Sequence, residues 1–255
     1  MEYQTLLYET REDIGILTYN RPEMANAMNT QMIEDLVHFW QERATDQTVR
    51  VIITTGAGEK GFSSGVDLKE SGRLMEDNKD MATDRFYYYQ SRFSSLYRFM
   101  RYAPQPIIAA VNGPAMGGGL SLALAADIRL ASENAWFCAQ YINVGVGGAD
   151  MGSSYFLWRL VGLGMASEMC LTGSKVDAKE AYRIGLVNHI YAKEELMTAA
   201  MNMAKTMASK SKAALHLTKE VFNSAINGIS LEDAIKMEDR NQVLLMGSFN
   251  PTIGM

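Results

Sequence analysis

Apolar positions over the first part of the chain switch repeatedly between two periods. Tyr3–Glu9 and Asp13–Tyr19 read as short strands around the polar turn Thr10-Arg11-Glu12, and Asn20-Arg21-Pro22 stops the second. Met32, Ile33, Leu36, Phe39 and Trp40 recur on one face. Met28–Ala44 is therefore expected to be a helix, with Asn29 or Thr30 as its cap. The β-branched run Val51–Thr55 reads as a buried strand and leads into a glycine-rich loop, 56–66. An aromatic-rich helix over Thr83–Met100, a strand over Pro106–Val111, a small-residue helix over Gly117–Ala126 and a strand over Ile128–Ala131 follow, with a further apolar helix at Tyr155–Leu163. Alternation of this kind predicts an α/β fold with mostly parallel pairing. Beyond about residue 195 the pattern changes to three successive helices, Lys193–Lys210, Lys212–Asn227 and Leu231–Leu245. The division expected is a core over 1–195 and a helical C-terminal region over 196–255, with no internal repeat of fixed period.

Composition narrows the class. The chain has 255 residues, 47% hydrophobic and 21% charged, which is globular and excludes disordered, collagen-like and low-complexity chains. A net charge of −5 without a basic stripe argues against nucleic acid as a partner. The longest apolar stretch, Pro106 to Leu130, is broken by Asn112, four glycines and Asp127, so it reads as buried core and no membrane span is expected. The first twenty residues carry acidic side chains and no apolar run, which predicts no signal peptide or presequence and a cytoplasmic protein. The two cysteines (Cys138, Cys170) and three histidines (His38, His189, His216) have no metal-ligand spacing, and no metal is expected. The 18 methionines read as core gap-fillers.

Four constellations could carry chemistry. Gly56-Ala57-Gly58-Glu59-Lys60-Gly61 is a literal GxGxxG, but Phe62–Asp67 is a poor helix start, so a surface turn is expected rather than a dinucleotide site. Gly119-Leu120-Ser121-Leu122-Ala123 approaches a nucleophile elbow, but no strand runs straight into Ser121, and His189 and His216 lie on elements that look structural. Ser63–Asp67 and Met116–Leu120 are paired glycine-rich turns after buried strands. They are either ordinary tight turns or two sets of N–H groups converging on one carbonyl as an oxyanion hole. Asp150, in a glycine-rich loop before an apolar helix, either caps that helix or lines a pocket and shuttles protons.

Together these segments resemble the crotonase, or enoyl-CoA hydratase/isomerase, family. The resemblance rests on Asn20-Arg21-Pro22 with Asn26-Ala27, on Phe62-Ser63-Ser64-Gly65-Val66-Asp67-Leu68 with Glu70, on Pro106–Gly113 running to Gly117-Gly118-Gly119 and Ala126–Arg129, and on Leu171-Thr172-Gly173 with Ala178–Ala181 and Gly185–Asn188. It implies a spiral of ββα turns, C-terminal helices used in a homotrimer or homohexamer, and an acyl-CoA substrate whose coenzyme A is part of the thioester, with no separate cofactor. It implies an oxyanion hole from the amides of Val66 and Gly118. It also implies that the adenine end of coenzyme A lies along Met24-Ala25 and the segment Val66, Asp67, Leu68, Lys69.

The chain departs from the family's hydratases at both glutamate positions, which are Ser121 and Tyr141 here. Neither is a strong base near neutral pH. Asp150 remains as the expected acid/base. The family's dehalogenases pair such an aspartate with a helix histidine, whereas the helix here carries Tyr87-Tyr88-Tyr89-Gln90 and Phe93. Those tyrosines and Tyr141 read as an aromatic wall around the acyl group or as core packing. The resemblance also implies an F-x-x-[KR][KR]-x-P-like tail near the site, which Asn250–Met255 does not match. The expectation is an enoyl-CoA hydratase/isomerase working through a stabilised enolate. The alternatives are an acyl-CoA hydrolase or carbon-bond lyase on the same fold, or a non-catalytic acyl-CoA-binding subunit.

Overall fold

A computed structural model describes residues 3–77 and 83–246, apart from the side chain of Phe86. The expectation at Asn250–Met255 lies outside the described residues. Strands β1 (Leu6–Arg11) and β2 (Ile14–Tyr19) form a hairpin in which Arg11 pairs with Ile14. The turn therefore falls at Glu12-Asp13, one residue later than expected, with Glu12 in the left-handed region at φ 57°. Helix α1 (Thr30–Arg43) starts at Asn29, whose side chain accepts the Met32 amide at 3.0 Å, and it buries the predicted stripe together with Val37. Strand β3 (Val51–Gly56) and helices α2 (Leu68–Asp77) and α3 (Thr83–Tyr102) follow.

From here the chain steps between two sheets. Strand β4 (Ile107–Val111) runs into β5 (Ala115–Met116) and helix α4 (Gly118–Ala125). Strand β6 (Ile128–Ser132) runs into β7 (Trp136–Cys138) and helix α5 (Ser153–Thr172), which breaks at Gly162. Strand β8 (Val176–Asp177), helix α6 (Ala178–Arg183) and strand β9 (His189–Tyr191) close the winding. The larger sheet has the order β1-β2-β3-β4-β6-β9, parallel after the first pair, and the smaller has β5-β7-β8. The middle turns, β4-β5-α4 and β6-β7-α5, each contribute one strand to each sheet and then a helix, as in the expected crotonase spiral of ββα turns.

Helices α7 (Leu196–Ala208), α8 (Lys212–Ile226) and α9 (Leu231–Leu245) complete the described chain. Side chains alternate across the larger sheet. Ile52 and Ile107 face the main core with Leu36, Trp40 and Phe62, while Val51, Ile53, Ile108 and Leu130 face Leu196, Ala200 and Ala204 of α7. The division at residue 195 therefore runs through packed core, because α7 covers one face of the sheet and only α8 and α9 stand off it. Among the described residues no helix is long and apolar enough to cross a membrane.

Most of the short motifs act on the backbone. The buried Asn26 accepts the Arg21 amide at 3.0 Å and donates to the carbonyls of Ala57 at 3.0 Å and Gly61 at 2.9 Å. It ties the NRP segment to the GxGxxG turn, where no helix opens. Arg21 pairs with Asp67 at 3.0 Å. Asp127 accepts the Ile107 amide at 2.8 Å and meets Arg101 at 2.7 Å and Lys219 at 3.0 Å.

Candidate active site

Two glycines bring the turns at 63–67 and 116–120 together. After β3 the chain runs alongside Pro114–Met116, with Ser63 N–H donating to the Pro114 carbonyl at 3.2 Å and Met116 N–H to the Ser63 carbonyl at 3.0 Å. Gly119 packs so closely on this strand that a Cβ there would run into the Ser63 carbonyl. Gly65 sits at φ +86°, and a Cβ on it would lie 2.6 Å from the Met116 carbonyl oxygen and 3.1 Å from the Gly118 nitrogen. Only glycine combines that backbone with that approach.

The amides on either side are thereby aimed. The Gly65 carbonyl accepts Met28 N–H at 2.7 Å, and Asp67 N–H donates to the Met28 carbonyl at 2.9 Å. Extended backbone alternates, so Val66 N–H, lying between them, faces away from Met28. Gly118 N–H is at the first residue of α4, where helical amides have no partner within the helix and the dipole favours negative charge. The Tyr97 hydroxyl fixes this residue from behind, donating to the Gly118 carbonyl at 3.1 Å and lying 3.2 Å from the Met151 sulfur.

Both residues line a cavity of about 210 Å³, walled by Leu68, Leu74 and Met75 of α2, Tyr89, Gln90 and Phe93 of α3, and Tyr141, Val144, Val146, Asp150 and Met151 of the loop before α5. Among the described residues Asp150 is the one carboxylate in this lining. Its side chain does not cap α5. Oδ1 accepts Met151 N–H at 2.7 Å, and the Gln90 amide nitrogen lies 3.2 Å from Oδ1 and 3.2 Å from Oδ2. The neighbouring Met151 holds φ 51°, a left-handed conformation that costs a methionine roughly 1–2 kcal/mol.

The two hydratase positions are occupied by each other's partner. Ser121 and Tyr141, both buried, share a hydrogen bond of 2.7 Å. Burial pushes the Tyr141 phenol up, and the nearby Asp150 charge pushes it further, so it stays protonated. Tyr141 lines the cavity, whereas Ser121 does not. His189 and His216 are exposed on β9 and α8, and the serine has no histidine partner. Among the described residues no cluster of three or more metal-ligating side chains occurs.

The residues expected along coenzyme A are distributed unevenly. Leu68 lines the cavity; Met24, Ala25, Asp67 and Lys69 do not. Met24-Ala25 runs beside the entrance strand, with Ser64 N–H donating to the Ala25 carbonyl at 3.0 Å. The Asp67 carboxylate is committed inside the protein. Burial raises its pKa, but the Glu70 amide at 3.2 Å and Arg21 outweigh that and hold it below the usual carboxylate range. Lys69 is exposed. A larger cavity, about 1070 Å³, opens beyond α3 toward α5 and α8, but the one carboxylate in its described lining is Asp127, already tied to Lys219 and Arg101.

The sequence pattern of the enoyl-CoA hydratase/isomerase family matches residues 9–248. The chain belongs to this family. It is 40% identical over 253 residues to a probable enoyl-CoA hydratase of Mycobacterium bovis, covering 97% of this chain and 88% of that protein. The fold is similar to that of a putative enoyl-CoA hydratase from Streptomyces coelicolor A3(2), with a TM-score of 0.89 and 33% identity over 96% of this chain and 88% of the other. It is also similar to a monofunctional enoyl CoA isomerase from M. smegmatis, with a TM-score of 0.74 and 35% identity over 91% of this chain and 98% of the other. The chain is thus an enzyme of the hydratase/isomerase family.

Reading the sequence had marked Asp150, Val66, Gly118 and Tyr141, which the fold brings to one cavity. It had not assigned a role to Gln90, Tyr97 or Met151. A signal for Gln90 was present. Phe93, Leu96, Tyr97 and Met100 form the buried stripe of α3, and Gln90, three residues before Phe93, is a polar residue on that stripe.

Proposed function

We propose that this enzyme moves a double bond in an enoyl-CoA thioester by proton transfer through Asp150. The observation that carries this reading is a single carboxylate in a cavity lined by Val66 and Gly118, with Ser121 and Tyr141 bonded to each other where hydratases keep glutamates. In this reading the thioester oxygen accepts hydrogen bonds from Val66 N–H and Gly118 N–H. Asp150 takes a proton from C2 of a 3-enoyl thioester, and the electrons pass to the oxygen as an enolate held by the two amides. The protonated Asp150 returns the proton at C4 as the C3=C4 bond becomes C2=C3. One group accepts and returns one proton, so no second carboxylate is required. Backbone donors already in position lower the barrier because they need no reorganisation as charge develops.

Coenzyme A arrives as part of the substrate, its adenine end along Met24-Ala25 and its chain past Val66, Asp67, Leu68 and Lys69, so the reading needs no separate cofactor. It also places the enzyme in the cytoplasm, as a homotrimer or homohexamer. Hydration is the second reading, because the M. bovis relative bears the name enoyl-CoA hydratase. Asp150 would then direct a single water.

The test is mass spectrometry of 2-enoyl- and 3-enoyl-CoA after incubation in ¹⁸O-labelled heavy water. A shifted double bond without ¹⁸O is expected, carrying deuterium only as far as the proton held on Asp150 exchanges with solvent before it is returned. Asp150→Asn should slow this by roughly 100- to 10,000-fold, the usual contribution of general acid–base catalysis. Incorporated ¹⁸O would replace the isomerase reading with hydration, and free coenzyme A would replace it with hydrolysis. Full activity of Asp150→Asn would remove Asp150 from the reaction.

A further inference from the structure

We infer that Gln90 is a positioning residue for Asp150, holding its carboxylate in place from across the cavity. The inference rests on the acid/base reading of Asp150. It starts from an asymmetry between the two oxygens. Oδ1 accepts two N–H groups, from Met151 at 2.7 Å and from the Gln90 amide at 3.2 Å, whereas Oδ2 accepts only the Gln90 amide, at 3.2 Å. Among the described residues Oδ2 thus has one N–H partner to the two on Oδ1, and Gln90, bridging both oxygens, holds the plane of a carboxylate that lines the cavity. The Gln90 amide straddles both oxygens from α3, while the loop bearing Asp150 is glycine-rich and largely exposed on its approach, residues 142–149. The loop alone gives the carboxylate one contact, Met151 N–H, and leaves rotation about its Cβ–Cγ bond to be set from across the cavity.

The chemistry of the partner matters as much as its position. An amide donates to the charged carboxylate and favours it, but adds no charge of its own. Among the described residues no Lys, Arg or His pairs with Asp150. The titratable groups facing it are the phenols of Tyr97 on α3 and Tyr141 after β7, both pushed up by burial and therefore protonated, and Tyr89 shares the same cavity wall. A cation at position 90 would hold the proton-accepting form too firmly. A carboxylate there would disfavour it. Glutamine donates to both oxygens and adds no charge.

The experiment uses the intact enzyme and the 3-enoyl-CoA isomerisation assay. Gln90→Leu removes the donor while filling a similar volume. It should lower kcat by about 10-fold or more with KM changed far less, the signature of an interaction used in the chemical step. The acid limb of the kcat/KM profile should move to higher pH, because the ionised carboxylate has lost an N–H donor. Gln90→Glu should move that limb further in the same direction, and Gln90→Asn or Gln90→His, which can still donate, should restore part of the rate. In the Asp150→Asn background, Gln90→Leu should cost nothing more. An unmoved acid limb in Gln90→Leu, or an equal further loss when it is added to Asp150→Asn, would overturn the inference and leave Gln90 as packing. Full activity of Asp150→Asn by itself would instead overturn the acid/base reading.

Discussion

At the scale of single residues the cavity depends on one backbone conformation more than on any side chain. Gly65 must be left-handed for the strand to turn, and its bare Cα lets Gly118 N approach. A Gly65→Ala change would add conformational strain of roughly 1–2 kcal/mol and push the Met116–Gly118 turn away. The two amides would then no longer converge. Loss of an oxyanion-hole donor typically costs roughly 100- to 1000-fold in kcat, so a folded Gly65→Ala enzyme should show that fall, with a modest change in KM, in steady-state kinetics. Wild-type kcat in a folded variant would mean that the amide pair is not the charge-stabilising element. This contribution is legible in the sequence only as glycines between strands and helices; bringing the two turns side by side needs the pairing of 63 with 115 and of 28 with 66. Asp150 reads in the sequence as a lone acid among glycines, where capping is the first expectation. The structure leaves α5 without a side-chain cap and turns the carboxylate to Gln90, 60 residues away in sequence.

Elements were readable in proportion to their length and period. Helices α1, α3, α7, α8 and α9 and strands β2, β3 and β4 appear close to where apolar spacing places them. Strands β5, β7, β8 and β9 are two or three residues each, too short to show a period of two, and exist because neighbouring strands complete them. Helix α2 buries none of its residues, so it has no core-facing stripe to read; the Asp67 side chain starts it by accepting the Glu70 amide. The Asp127 cluster joins elements in the same non-local way. Lys219 of α8, only 5% exposed, reaches Asp127 just before β6 and donates to the Gln105 carbonyl at 2.8 Å. Burial raises the Asp127 pKa, but Lys219 and Arg101 more than offset this and hold it below the ordinary carboxylate value. A depressed folded-state pKa gives stability that is present above the unfolded value, about 4, and is lost as pH falls through the folded value. Asp127→Asn leaves Lys219 buried without its counter-charge and should cost about 3–5 kcal/mol at pH 7 in urea unfolding. The gap between variant and wild type should narrow below pH 4. A gap that stays constant with pH would show that the pair contributes packing rather than charge.

Across the whole molecule, the spiral stacks its turns so that Ser63–Val66, Met116–Gly118 and the 141–151 loop meet at one end of the sheets. The cavity gathers residues from α2, α3 and the 141–151 loop, whereas the last two helices pack on one another at the outside of the fold. Helix α9 carries the physical argument for a role in assembly. Asn241 is its one buried residue and points back to α8, where it donates to the Leu217 carbonyl at 3.5 Å. Ile235 and Val243, with Met246 just past the helix, are exposed and face away from Asn241 at helical spacing, and Leu231 and Leu244 are exposed on the flanks. Such an outward apolar stripe has no reason to persist on an isolated chain, since single exposed apolar residues are ordinary but an aligned set marks a contact. Light scattering should give the mass of three or six chains, and Leu231→Glu with Val243→Glu should reduce it to one. Because the residues of α9 lie outside the cavity lining, the dissociated variant should still isomerise 3-enoyl-CoA, with its cost confined to thermal stability. A wild-type monomer would remove the assembly role from α9. A dissociated variant that folds but cannot turn over would mean that the neighbouring chain completes the thioester site.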